Sequence, residues 1–240
     1  MKLRWIVATV IACFMYTMAI TPAFSEEWLF VDLEPHANAK IVDTQWWTGN
    51  PGNSDLEEAI EASENGDEFD GPGGEKVPFE VKNANLRIFG TNAGANPLEI
   101  TGIEVGGTDE AIYFLHMTGW EAAGQPSYKF VMNYEDGNTE ELLMETHINS
   151  DDWCHVPAKL QDDNSAWAWQ ETGQTCGTVA LIATKWENTR PAARIGTIDF
   201  VSLETGAVPG LFGITLGDAS FAVDAVEKLA TTWATIKRVR

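Results

Sequence analysis

Between residues 77 and 216 short apolar or alternating runs recur about every ten positions, separated by Gly, Asn, Asp and Pro. They are VPFEV (77–81), LRIFG (86–90), LEITGIEV (98–105), AIYFLHM (111–117), YKFVMNY (128–134), TEELLMET (139–146), AWAW (166–169), TVALIATKW (178–186), RIGTIDFVSL (194–203) and LFGITL (211–216). WLFVDL (28–33) reads as an earlier strand. Short strands at even spacing with turn residues between them predict a sandwich or a barrel. A parallel βαβ sheet is disfavoured, because the 3.6-residue period of crossover helices is missing here. The clearest local signal is a hairpin: Tyr128, Phe130, Met132 and Tyr134 alternate with Lys129, Val131 and Asn133. Asp136-Gly137-Asn138 follows where the chain must reverse, and Gly137 tolerates positive φ. The period changes after Gly217. Val223, Val226, Leu229, Ala230, Trp233 and Ile236 form one apolar stripe, with Lys237, Arg238 and Arg240 at its C-terminal end, which predicts an amphipathic helical tail over 218–240.

Residues 43–76 interrupt the strand pattern with a polar, acidic excursion. It holds Trp46-Trp47, a short helical signal over 55–63 and a Gly-rich exit at 71–74. A connection this long either has a task or is mobile. Its acids Glu64, Asp67, Glu68 and Asp70 are candidate ligands for a structural calcium, the one cofactor the sequence admits. Their spacing departs from the Asp-x-Asp-x-Asp-Gly loop, and solvated charge is the preferred reading.

The N-terminus changes the picture from fold to destination. Lys2 and Arg4 precede an uncharged apolar run over 5–20, and Ala23 and Ser25 are small residues at signal-peptidase positions. A run of about 16 residues is short of the ~20 a spanning helix needs. The expectation is a signal peptide over 1–25, cleaved after Ser25, and an exported chain (periplasmic, cell-surface or extracellular) with no integral membrane segment. The domain division expected is then 26–217 for the β domain, carrying the 43–76 insertion, and 218–240 for the basic tail, a candidate attachment point for a cell-surface partner.

A formal net charge of −21 repels phosphate backbones and anionic membranes, which argues against nucleic acid as a partner. Of three cysteines, Cys13 falls in the leader, leaving Cys154 and Cys176. Outside the cytosol they have one intramolecular pairing, closing a loop of roughly 23 residues worth about 3 kcal/mol. Strand alternation argues for caution, since a 166–186 hairpin running down and then up turns at the end away from Cys154. Zinc at His147, Cys154 and His155 is disfavoured, because no Cys-x-x-Cys or His-x-x-x-His pair supports it.

Five stretches in order, VDLEPHANAKIVD (31–43), VPFEV (77–81), IYFLHMTGW (112–120), NYEDGNTEELLM (133–144) and TKWENTRPAARIGTIDFVS (184–202), together resemble a galactose-binding-like jelly-roll domain. Such domains occur in exported bacterial proteins and beside glycoside hydrolase domains. The resemblance implies an all-β, two-sheet antiparallel jelly-roll β-sandwich, non-catalytic, whose loops at one end carry any ligand. The acidic insertion, the cysteine pair and the lack of an attached catalytic domain depart from that pattern.

No nucleophile elbow, zinc-protease helix, phosphate loop or dinucleotide fingerprint is present, so no catalytic residue is assigned. A glycosidase needs only two carboxylates, and Glu121, Asp151, Asp152 and Glu187 can be nominated from 36 acids. Tryptophans carry more information. Trp28, Trp167, Trp169 and Trp186 sit within strands, while Trp46, Trp47, Trp120 and Trp153 sit in loops or at strand ends, where they cap the sandwich edge or stack on a ligand. If consecutive strands alternate in direction, loops 118–127, 147–165 and 187–193 gather at one end. That count assembles Trp120, Trp153, Asp151, Asp152, Asn188 and Arg190 into a candidate glycan site. The leading expectation is a carbohydrate-binding module. A structural or interaction protein of the cell surface and a glycoside-processing enzyme stand as alternatives.

Overall fold

The computed structural model describes residues 28–108, 111–154 and 160–217. The expected signal peptide, the helical tail and His155 lie outside the described residues. Among those described the domain is all-β with one α-helix, α1 (Glu57–Glu64). The strands are β1 (Leu29–Phe30), β2 (Glu68–Asp70), β3 (Lys76–Pro78), β4 (Leu86–Arg87), β5 (Glu99–Gly107) and β6 (Ala111–Gly119). They continue as β7 (Pro126–Tyr134), β8 (Thr139–Glu145), β9 (Ser165–Glu171), β10 (Val179–Glu187), β11 (Ile195–Ser202) and β12 (Val208–Gly217). Except for β2, each lies on a run the hydrophobic pattern marks.

A six-stranded sheet has the order β1-β12-β6-β10-β9, with β4 also on β12; a four-stranded sheet has the order β5-β11-β7-β8. Every strand pair is antiparallel. The β7–β8 hairpin forms as its alternation requires. Tyr128, Phe130, Met132 and Tyr134 are buried, Gly137 has φ 87°, and the Asn138 N–H donates to Asp136 Oδ1 at 3.1 Å.

Two main sheets stack face to face, an arrangement compatible with a β-sandwich. Phe114 of the six-stranded sheet stacks on Phe130 of the four-stranded one with centroids 4.1 Å apart, and Phe130 stacks on Phe200 at 5.2 Å. Trp186, Ile198, Leu211 and Ile214 complete this inner core.

The six-stranded sheet is buried on its other face as well. Tyr113, Leu115, Met117, Leu181, Ala183 and Phe212 point away from the sandwich interior into a second cluster with Trp46, Trp47, Leu56, Phe69, Val77 and Phe79. The acidic excursion is therefore a third layer. Its apolar residues cover the central sheet while its carboxylates face water, and the small β2–β3 sheet and α1 belong to it. This is why all nine residues of β6 are buried. β12 is likewise buried along its whole length, so both strands remove apolar surface from water on two faces, worth ~25 cal/mol per Å². Among the described residues, no helix is long and apolar enough to cross a membrane.

Candidate binding site at the Trp120 end

β6 finishes beside the start of β12, Gly119 opposite Val208. A Cβ at Gly119 would come within 2.8 Å of Trp47 Cβ, so glycine here lets that indole lie flat on the strand end. Gly210 does the same for Trp46, whose ring sits 2.5 Å from where its Cβ would be. The two loop tryptophans are thus core residues. Trp120 follows with φ 66°, a left-handed backbone that turns its side chain away from the layer below, and it is 36% exposed.

The segment 151–153 plugs the gap between the ends of β6 and β10. The Thr118 N–H and hydroxyl both donate to the Asp151 carbonyl at 3.0 and 2.8 Å. The Trp153 N–H donates to Thr118 O at 2.9 Å, and the Ala180 N–H to Trp153 O at 3.0 Å. These bonds drive the Trp153 indole inward against Trp47, centroids 4.4 Å apart, and Trp46, 6.4 Å apart. Trp153 is 3% exposed and Asp151 is fully buried. They support the site and do not offer a stacking face.

The Cys154–Cys176 disulfide closes the assembly, with Cα atoms 5.4 Å apart. It fastens the plug to the β9–β10 turn. The same turn is held from the third layer, where Asp55 Oδ2 accepts the Thr175 N–H at 2.6 Å. Above the disulfide is a cavity of about 150 Å³ lined by Trp47, Gly119, Trp120, Asp152, Trp153 and Thr175, with Cys154 at its floor. It is smaller than the ~300–1,000 Å³ of drug-sized ligand pockets, and accepts part of a ligand.

Glu121, His147 and Asp151 converge beside Trp120. Their ligating atoms all lie within 4.8 Å of one another, so the trio can hold a metal ion. The spacing of residues 121, 147 and 151 carries no motif, and sequence reasoning missed the trio. It surfaces only once the ends of β6 and β8, in different sheets, are brought together.

Asn188 and Arg190 are elsewhere. Glu187 pairs with Ala111 at the beginning of β6, whereas Trp120 follows its end. Eight residue steps separate the two ends of β6, roughly 26 Å at ~3.3 Å per residue. The directional count fails between β8 and β9. These strands lie in different sheets and run the same way: β8 ends where β6 ends, with the Ala122 N–H on Thr146 Oγ1, and β9 runs with β6 because both pair antiparallel with β10. Loop 187–193 therefore belongs to the opposite end, and the β9–β10 turn belongs to the Cys154 end.

At that far end both residues have structural partners. Asn188 Oδ1 accepts from Tyr134 Oη at 2.7 Å and from the Arg190 N–H at 2.8 Å. The Arg190 guanidinium lies 4.5 Å over the Tyr134 ring and pairs with Asp136. Its hydrogen bonds, with those of Asn138, hold the Asp136 carboxyl well below the usual carboxylate range. Desolvation pushes the Tyr134 hydroxyl up to about 12. These contacts lock the β7–β8 hairpin to the β10–β11 loop.

An acidic cleft of about 470 Å³ separates α1 from the end of β9, lined by Asp43, Asp55, Glu58, Glu61 and Glu171 among others. Glu171 lies against Glu58 and raises its pKa through charge repulsion. The calcium candidates of the sequence, Glu64, Asp67, Glu68 and Asp70, do not line this cleft. No protein-family model matches the chain, nor does any curated protein or solved structure.

Proposed function

We propose that this chain is a non-catalytic, exported, galactose-binding-like jelly-roll module that takes a glycan at the Trp120 end of its sandwich. The fold part of this reading is supported by strand order. β4-β12-β6-β10 facing β5-β11-β7-β8 is the interleaved order of a jelly roll, with β1 and β9 added at the edges.

The observation that carries the binding part is the exposed Trp120 indole at the rim of the cavity that Asp152 and Thr175 also line. An indole face covers the C–H face of a pyranose, while a carboxylate and a hydroxyl orient its hydroxyls. Trp47, Trp153 and the disulfide stiffen the floor, which limits the ordering cost of binding. Asn188 and Arg190 drop out of the site, and Asp151 and Trp153 become its supports. Of the carboxylates nominated for glycoside chemistry, Glu187 lies at the far end of β10 and Asp151 is fully buried, which leaves Glu121 and Asp152 and favours a module over an enzyme.

Glycan-array binding and affinity electrophoresis in polysaccharide gels test this. The expected result is weak retention of the wild type that Trp120→Ala abolishes and Asp152→Asn reduces, with little change in unfolding midpoint. A wild type that binds no glycan, or a Trp120→Ala variant that binds as well as wild type, overturns the reading.

A further inference from the structure

We propose that Glu121, His147 and Asp151 form a site for a divalent cation of the zinc class. The three come from separate stretches: Glu121 from the loop after β6, His147 from the turn after β8, and Asp151 from the plug between β6 and β10. His147 Nε2 lies 3.7 Å from Glu121 Oε1 and 3.8 Å from Asp151 Oδ1. These separations are too long for hydrogen bonds. They are close to the ~3.4 Å expected between neighbouring ligands on one tetrahedral ion with bonds of about 2.1 Å. A small rotation of the solvent-facing Glu121 side chain closes the difference.

Charge favours the same occupant. Two carboxylates and a neutral imidazole carry a formal −2, and the Asp151 side chain is 1% exposed. A divalent ion neutralises the set, which matters most for a carboxylate removed from water. The ligands are also held from behind. Asp151 Oδ1 accepts the Asp152 N–H at 2.8 Å, and its carbonyl is fixed by Thr118. The His147 N–H donates to Ser150 O at 2.8 Å, and the Ala122 N–H to Thr146 Oγ1 at 3.2 Å, joining the Glu121 and His147 segments. Such outer hydrogen bonds orient metal ligands. An imidazole nitrogen with two carboxylates selects zinc and its first-row neighbours over calcium and magnesium, which prefer oxygen alone. Three protein ligands leave a fourth position for water. The ion joins loop 120–121 to loop 147–151 and so fixes the backbone that presents Trp120.

This inference does not rest on glycan binding and is tested without glycan. Protein made without an affinity tag is stripped with chelator and titrated with Zn²⁺ by calorimetry, with Ca²⁺ in a parallel arm, and its unfolding midpoint is followed. The expected result is one Zn²⁺ per chain, a raised midpoint, and at least tenfold weaker binding in both His147→Asn and Glu121→Gln. Asparagine tolerates the left-handed backbone at 147, where φ is 67°. Both variants should match the wild-type midpoint without metal. Failure to bind Zn²⁺ in stoichiometric amount overturns the proposal. So does wild-type affinity in both variants, which places the ion elsewhere, as at the Glu58–Glu171 cleft. Preference for Ca²⁺ over Zn²⁺ overturns the assigned class.

Discussion

His116 is a fully buried imidazole in the middle of β6, and its removal tests how the core is held together. The Tyr128 hydroxyl lies 2.6 Å from His116 Nδ1, and Nε2 lies 2.8 Å from Thr184 Oγ1. Ser150 Oγ is 3.0 Å from the Tyr128 hydroxyl, and Thr184 Oγ1 donates to the Asn149 carbonyl at 3.3 Å. One direction of donation satisfies every member: Ser150 to Tyr128, Tyr128 to Nδ1, Nε2–H to Thr184, and Thr184 to Asn149. That chain requires a neutral ring, and burial pushes the His116 pKa down to about 3. An unfolded chain has an ordinary histidine near pKa ~6.5. Above that value His116 is neutral in both states and the network contributes fully. As pH falls below it, the unfolded state takes up a proton the folded state refuses, and stability declines until the folded pKa is reached. From pH 7 to pH 5 this amounts to about 2 kcal/mol. His116→Leu removes two hydrogen bonds, but Tyr128 keeps Ser150 and Thr184 keeps Asn149, so no hydroxyl is stranded. The variant should lose about 2 kcal/mol at pH 7. Urea unfolding of both proteins at pH 7 and pH 5 measures this. Protonation of the many acids relieves repulsion in both chains, so the useful quantity is the difference between them, which should shrink from about 2 kcal/mol toward zero as His116 charges in the unfolded wild type. A difference unchanged between the two pH values refutes a neutral buried His116.

Thiol titration of the unreduced protein should find neither Cys154 nor Cys176 free, and Cys154→Ser should lower stability by about 3 kcal/mol while weakening any ligand binding at Trp120, because the plug that carries Trp153 loses its tie to the β9–β10 turn. Arg190→Ala should leave binding at the Trp120 end untouched and loosen only the β7–β8 hairpin, read as faster hydrogen exchange of the Asn138 amide; loss of glycan binding in this variant would mean that the two ends are coupled.

The positions of the strands were legible because each carries its own local signal. Tyr128, Phe130, Met132 and Tyr134 alternate because β7 belongs to a sheet with one face to the core and one toward water. β6 and β12 are different. Their continuous apolar runs signal burial on both faces, which demands a further layer, and the insertion supplied it. Trp46 and Trp47 looked like loop residues because nothing near them in sequence discloses that Gly119 and Gly210, far along the chain, leave indole-sized room on the central sheet. Direction was the other loss. Counting strands as alternately up and down is sound within a hairpin but has no force across a connection that changes sheets. The segment 146–164 is such a connection, and one lost reversal moved Asn188 and Arg190 to the wrong end while making the Cys154–Cys176 bridge look awkward. A disulfide is independent information about direction, since Cα atoms must approach within about 7 Å. Accepting the bridge first would have placed the β9–β10 turn beside residue 154, reversed β9, and sent loop 187–193 to the opposite end. The Cys154–Cys176 constraint outranks strand parity, and the candidate site contracts to the residues around Trp120.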